Sequence, residues 1–225
     1  MEHPILFLDL LFGKFGLHIP PHLTYAVLVS VILLGLGWLA GRQITLVPTG
    51  AQNVFELIIG GLEEFMVEVT GEEGRGFFPF IATFFLFIAF CNLIGLIPGF
   101  LSPTSNINIT LSLALCTFVY THYLGVKYHG AKYIKHFMGP IPALAPLFFI
   151  IEVIGHFARV LSLTLRLFGN IMGEDLVLAI LLFLAGMFLA PLPMMFLAVF
   201  TSIVQAFVFT LLSMMYFAGS MEHAH

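Results

Sequence analysis

The sequence predicts an all-α, polytopic integral membrane protein: about five membrane helices, the two C-terminal ones long and tilted, and one interfacial amphipathic helix. Two observations carry that expectation. Of 225 residues, 60% are hydrophobic and only 9% are charged, whereas soluble domains carry about 25% charged residues; the mean hydropathy is +1.07. The apolar residues also come in runs of roughly the 20 residues that a helix needs to cross ~30 Å of hydrocarbon. A water-soluble fold of this size could not hide so much apolar surface. With a net charge of −4 there is no basic surface to neutralise phosphates, and no nucleic-acid partner is expected.

The chain reads as a single membrane domain over 1–225. Its first apolar stretch is interrupted by Asp9 and Lys14 and has no small-residue cleavage site after it, so no cleaved signal peptide is expected. The first span is 23–40, opened by Pro20-Pro21 and closed by Gly41-Arg42. Residues 51–70 have helical period, with Phe55, Ile58, Ile59, Leu62, Phe65, Met66 and Val69 on one side and Gln52, Glu56, Glu63 and Glu64 largely off it. Thr49 and Gln52 read as a capping box at its start, and the segment as an amphipathic helix in the interface. Its polar face is acidic, and serves either as a docking face for another subunit or as a solvated one. The second span is 77–96, ended by Pro98-Gly99, and the third is 109–126, after the turn-rich residues 102–106. A continuous helix over the apolar run 144–190 would be about 70 Å long, so the run is either two helices or one strongly tilted, bent helix. Pro191 and Pro193 stop it, and 194–218 is the last helix. Cys91 and Cys116 lie inside apolar runs and read as buried space-fillers rather than a disulfide.

Arg42 follows the first span, Lys127, Lys132 and Lys135 follow the third, and the loop between the second and third has no charge. The positive-inside rule makes the basic segments cytoplasmic, with the N-terminus outside and the C-terminus inside.

Within the long run, Glu152, His156, Arg159, Ser162, Arg166, Asn170 and Glu174 recur at steps of three or four, on one helix face. Each charge in a membrane costs about 2.5–3.5 kcal/mol on insertion scales, so such a face turns to protein or water and marks a pathway. Arg166 is the key residue. Glu152 is ~21 Å behind it along a helix and Glu174 ~12 Å ahead, and no other span has a carboxylate in its middle. An arginine keeps its proton in proteins; it cannot relay one, but it holds a nearby carboxylate ionised. That carboxylate comes from another polypeptide, or else Arg166 lies in a water-filled cavity. Arg159 fits equally well as an arginine snorkelling to the interface. His122, His129 and His136 lie seven apart and read as a row of surface histidines.

The run Leu163-Thr164-Leu165-Arg166-Leu167-Phe168-Gly169-Asn170 resembles the signature of subunit a of F-type ATP synthases. The likeness continues in Asn92-Leu93-Ile94-Gly95-Leu96-Ile97-Pro98-Gly99-Phe100, in Pro103-Thr104 and in Gln205-Ala206-Phe207-Val208-Phe209, and covers nearly everything from Pro48 onward. It implies a proton-channel subunit that is not catalytic alone and binds no cofactor. Its place would be a bacterial inner membrane, as a stator beside a rotating ring of c subunits, with the peripheral-stalk b subunits and the rest of the synthase as further partners. On this resemblance Arg166 faces the ring carboxylate between two offset aqueous half-channels. Asn170, Gln205, Ser162 and Glu152 match positions of the half-channels or the rotor interface, and Arg159 stands where the family often has a basic residue. The family commonly has one acidic residue or histidine nine positions after the arginine, here Asp175; Glu174 is extra. Helical geometry turns Glu174 ~80° and Asp175 ~180° from Arg166, and the pair is left unassigned as proton carrier; two solvated carboxylates at a helix end would look the same.

Other functions fit less well. There is no HExxH zinc motif and no Gly-x-Ser-x-Gly elbow. Only His122 and His156 fall within spans, too few for a two-haem helical protein. A secondary transporter built on repeats would show halves that resemble each other, and these do not.

Overall fold

The computed structural model describes residues 20–42, 51–97, 99–130, 133, 144–185 and 191–221. Among them are six α-helices and no strand: α1 Pro21–Arg42, α2 Ala51–Thr70, α3 Phe78–Ile94, α4 Ile107–His129, α5 Ala145–Ala185 and α6 Pro191–Met221. Two 3-10 turns, Glu72–Phe77 and Pro103–Ser105, precede α3 and α4. In hydrocarbon the backbone must satisfy its own hydrogen bonds, which leaves such apolar runs helix as their open-chain solution.

Local chemistry sets the helix ends. Pro21 and Pro191 each open a helix, where the missing N–H costs nothing. Asn106 caps α4, its side-chain oxygen accepting from the Asn108 N–H at 2.9 Å. The Thr49 capping box lies outside the described residues. The apolar run after residue 144 is one uninterrupted helix of 41 residues, about 62 Å long and twice the hydrocarbon thickness. It is longer than a perpendicular crossing requires.

The α6 helix is the hub, packing against α2, α3, α4 and α5. One core cluster joins Leu62 and Met66 of α2 to Phe77, Ile81, Leu124, Met214 and Phe217. A second joins Ile88, Ala89, Ala114, Leu163, Leu167, Ile171, Ala206 and Phe209 of α3 to α6. Small residues at these crossings let the helices approach closely. The apolar stripe of α2 thus docks partly on the chain's own bundle; Leu57 and Ile58, nearer its start, stay exposed. Cys91 is buried, but Cys116 is exposed and both are free: the expectation of two buried thiols fails at Cys116, which lies on the outward side of α4.

Polar side chains tie the bundle at the end where α3 turns into α4. Ser102 Oγ donates to the Cys91 carbonyl at 2.9 Å and lies 2.8 Å from Thr104 Oγ1. The Thr104 hydroxyl donates to Asn92 Oδ1 at 2.5 Å, and Asn92 Nδ2 donates to the Ser202 carbonyl of α6 at 3.1 Å. Gly95 permits this closure, since a Cβ there would stand 2.5 Å from that of Ser102. The first turn of α1 packs on the same knot, with the Tyr25 hydroxyl donating to the Gly99 carbonyl at 3.2 Å.

Asn92→Ala strips two buried partners at once, so the assembled protein should lose about 1–3 kcal/mol of stability. A lowered midpoint of thermal unfolding in detergent is the expected result; an unchanged midpoint would show that the knot contributes nothing.

Candidate functional site: a polar band along the long helix

The band on α5 is real as a helical register, but its two edges have different surroundings. With Arg166 as origin and 100° per residue, Ser162 lies at about −40°, Arg159 at 20°, Glu152 and Asn170 at 40°, and His156 and Glu174 at 80°. The core residues Leu163, Leu167 and Ile171 centre near 100° on the same wheel. One edge of the band, Ser162 and Arg166, is consequently exposed, while the other, His156 and Glu174, is buried. The band follows the seam where the bundle meets its surroundings. The sequence placed the seven on one helix face turned to protein or water; the packing of α4 and α6 over one side of α5 gives the face a protein-covered edge at His156 and Glu174 and an open edge at Ser162 and Arg166.

At the start of the band, charges pair. Glu152 Oε1 lies 3.4 Å from His156 Nε2 and 4.0 Å from Arg159 Nη2. Arg159 also stands over the Tyr216 ring of α6, 5.6 Å from its centre, a cation–π contact. Arg159 is thus held in place at this end rather than free to snorkel.

In the middle stands Arg166. No carboxylate lies within 4.0 Å of it among the described residues. One turn on, Asn170 Nδ2 donates to Gln205 Oε1 of α6 at 2.7 Å. Gln205 is 4% exposed, and its Nε2 has no partner among the described residues. Two of the residues singled out in the sequence thus meet across the α5–α6 crossing.

At the far end Glu174 and Asp175 diverge. Glu174 is 8% exposed and turned into the bundle, and neither carboxyl oxygen has a partner among the described residues. Asp175 is half-buried beside the Ser105 hydroxyl, in the turn that the Asn92–Thr104 knot holds. Neither is merely a solvated carboxylate at a helix end: the helix continues ten residues further, to Ala185. Glu152 and Glu174 are ~33 Å apart along the helix, with Arg166 between them.

Sequence reasoning missed one group. His122 belongs to no surface row: its ring centre is 4.8 Å from that of His156, and its Nδ1 is 2.8 Å from the Tyr133 hydroxyl. His136 lies outside the described residues. The available signal was that His122 and His156 both fall inside apolar runs; their meeting depends on how α4 crosses α5.

Five helices among the described residues long and apolar enough to span a bilayer, with a charged band along the longest, define a polytopic integral membrane protein. Residues 23–218 match the family described as ATP synthase A chain. The chain is 59% identical to ATP synthase subunit a of Syntrophobacter fumaroxidans, 58% to that of Desulfosudis oleivorans and 54% to that of Geotalea uraniireducens, in each case over the whole of both chains. It belongs to the ATP synthase subunit a family, a non-catalytic membrane part of that complex.

Cysteines introduced singly at Ser162 and Asn170 should react with small aqueous thiol reagents or cross-link to a neighbouring subunit, whereas cysteines at Leu163 and Leu167 should stay unmodified. Equal labelling at all four positions would show that α5 has no such seam.

Proposed function

We propose that the chain is the proton-conducting stator subunit a of an F-type ATP synthase, with Arg166 as the fixed charge opposite the carboxylate of a rotating c ring. One observation carries the reading: a guanidinium mid-way along the longest membrane helix, exposed at the seam, with no carboxylate partner among the described residues of its own chain. A buried or lipid-facing arginine without a counter-charge is costly, so the counter-charge comes in trans. The resemblance set out above names the ring carboxylate as that group.

The rest of the band fits this role. Protons reach the ring through a half-channel at the Glu174–Asp175 end and leave through one at the Glu152 end. By the positive-inside rule the first end faces outward and the second the cytoplasm, with the N-terminus outside, the C-terminus inside and the subunit in the bacterial inner membrane. A protonated ring carboxylate is neutral and tolerable in lipid. On reaching Arg166 it is held ionised, because an opposite charge nearby favours the charged form. Arg166 keeps its own proton and so separates the half-channels without conducting between them. Asn170 and Gln205 hold the seam beside it, and Ser162 lies one turn before it on the exposed edge. The driving term is ~2.3 kcal/mol per charge per 100 mV, to which the pH difference adds. No bond is made or broken by this chain; the ring and the peripheral-stalk b subunits connect it to the nucleotide-handling part of the synthase. Glu174 supports the uptake role by its burial and its two unpartnered oxygens, because such a carboxyl is costly unless water or a proton accompanies it. Asp175 occupies the family position and lies against Ser105.

Arg166→Ala should abolish both proton-driven ATP synthesis and ATP-driven pumping in proteoliposomes while the complex still assembles. Arg166→Lys should fail as well, since a lysine loses its proton when desolvated and lacks the planar fork. Full coupled activity in Arg166→Ala would refute the reading.

The amide pair Glu174→Gln and Asp175→Asn, made singly and together, should slow pumping without preventing assembly. Pumping at the normal rate in the double variant would remove both residues from the path.

A further inference from the structure

The group that sequence reasoning missed forms a site of its own. On one wall of a cavity of about 230 Å³ stand Glu152, His156 and Arg159 of α5; Thr121 of α4 and Tyr133 form a second wall, and Tyr216 and Ser220 of α6 a third. A cavity of that size has room for several waters, and Glu152, His156, Arg159 and the Tyr133 and Tyr216 hydroxyls supply polar partners on its largely apolar walls. From it a row of exchangeable groups runs across the helices: Glu152 Oε1 to His156 Nε2 at 3.4 Å, the His156 ring in tilted contact with the His122 ring at 4.8 Å between centres, and His122 Nδ1 to the Tyr133 hydroxyl at 2.8 Å. The Tyr133 ring is seated by close approach to Gly125, where any side chain would collide with it.

We infer that His122, His156 and Tyr133 form a proton relay that takes protons from Glu152 across the α5–α4 crossing, and that this relay sets the rate at which the Glu152 end discharges. The inference rests on the proton-path reading and deepens it. Histidine is suited to the task because it titrates near neutral pH and can take a proton at one ring nitrogen while releasing one from the other. Protonated Glu152 passes its proton to Nε2 of neutral His156, leaving a carboxylate and an imidazolium. The imidazolium gives up its other ring proton, through cavity water or His122, and returns to a neutral ring. His122 and Tyr133 carry the proton on by the same exchange, each ending as it began. Charge keeps the traffic single. The described charged or titratable groups facing the histidines are Glu152 and Arg159 from α5, Tyr133 beyond α4 and Tyr216 from α6. Two adjacent imidazolium ions would be like charges at close range, which disfavour each other.

The test uses the whole synthase in proteoliposomes, with variants His156→Gln, His122→Gln and Tyr133→Phe and an Arg166→Ala control. Proton-driven ATP synthesis is followed against pH on the side into which the Glu152 end opens. His156→Gln and His122→Gln should each slow synthesis by about tenfold, less than the ~10²-fold that a lost acid–base group costs in catalysis, because cavity water bypasses part of the relay. Their pH profiles should lose the inflection expected of the parent, and imidazole added to a His156→Ala variant should restore part of the rate. Tyr133→Phe should slow synthesis less and keep the inflection. Assembled histidine variants with parental rate and profile would overturn the relay. So would a slowed rate with an unchanged profile and no rescue by imidazole, since that is what packing alone would produce. If these outcomes appear while Arg166→Ala is inactive, the relay alone is wrong; coupled activity in Arg166→Ala would instead bring down the proton-path reading itself.

Discussion

A polar group inside hydrocarbon has no water to fall back on, and the whole molecule is arranged around that requirement. The backbone meets it by being helical. The side chains meet it by pairing across helix crossings: Asn92 with Thr104 and the Ser202 carbonyl, Thr117 with Ser213 at 3.3 Å, Asn170 with Gln205. Each of the last two pairs ends on α6, and so does the first through Ser202. Because lipid tails are as apolar as leucine, helix association in a membrane relies on such hydrogen bonds and on close packing of small residues. Ala114, Ala198, Ala206 and Thr210, all buried to within 1% of zero exposure, supply the latter.

The same requirement makes the unmatched groups informative. Arg159 and Glu152 share a neighbourhood, and Arg159 has the Tyr216 ring beneath it. Arg166 has no carboxylate near it among the described residues, and Glu174 has two buried oxygens with no partner there. These two stand ~12 Å apart along α5, too far to satisfy each other. Evolution of a merely structural helix would have no reason to keep a charge and a carboxyl at such cost. A proton path does, since it needs groups whose partners come and go. On the proposed reading, the arginine in the middle and the ionisable groups at both ends divide α5 into the two segments that two half-channels require.

How α5 is seated decides what each of these groups can reach. The helix is covered by α4 and α6 on one side and open on the other, so its polar band becomes a border instead of a lining. Ser162 and Arg166 are exposed, on the side where the proposed function puts a partner subunit, while His156 and Glu174 are buried against the bundle. From Glu152 to Glu174 that border runs ~33 Å along the helix.

The sequence by itself determined the class of protein and singled out Arg166 as a charge with no carboxylate near it along its own helix. Those depend on quantities that are local along the chain: the length of an apolar run, the step between polar residues, and the distance along a helix to the nearest carboxylate. Helical period also placed the seven polar groups at their angles around α5. What lies at each angle was settled only by the tertiary structure, because periodicity fixes a direction and says nothing of the neighbour found there. That is why His156 and Glu174 proved buried while Ser162 and Arg166 stayed exposed, why Gln205 became the partner of Asn170, and why Cys116 came to the surface. It is also why His122, which read as one of a row of surface histidines, turned out to face His156: a contact between residues thirty-four positions apart exists only through the crossing of α4 and α5, and nothing local to either residue encodes where two helices cross.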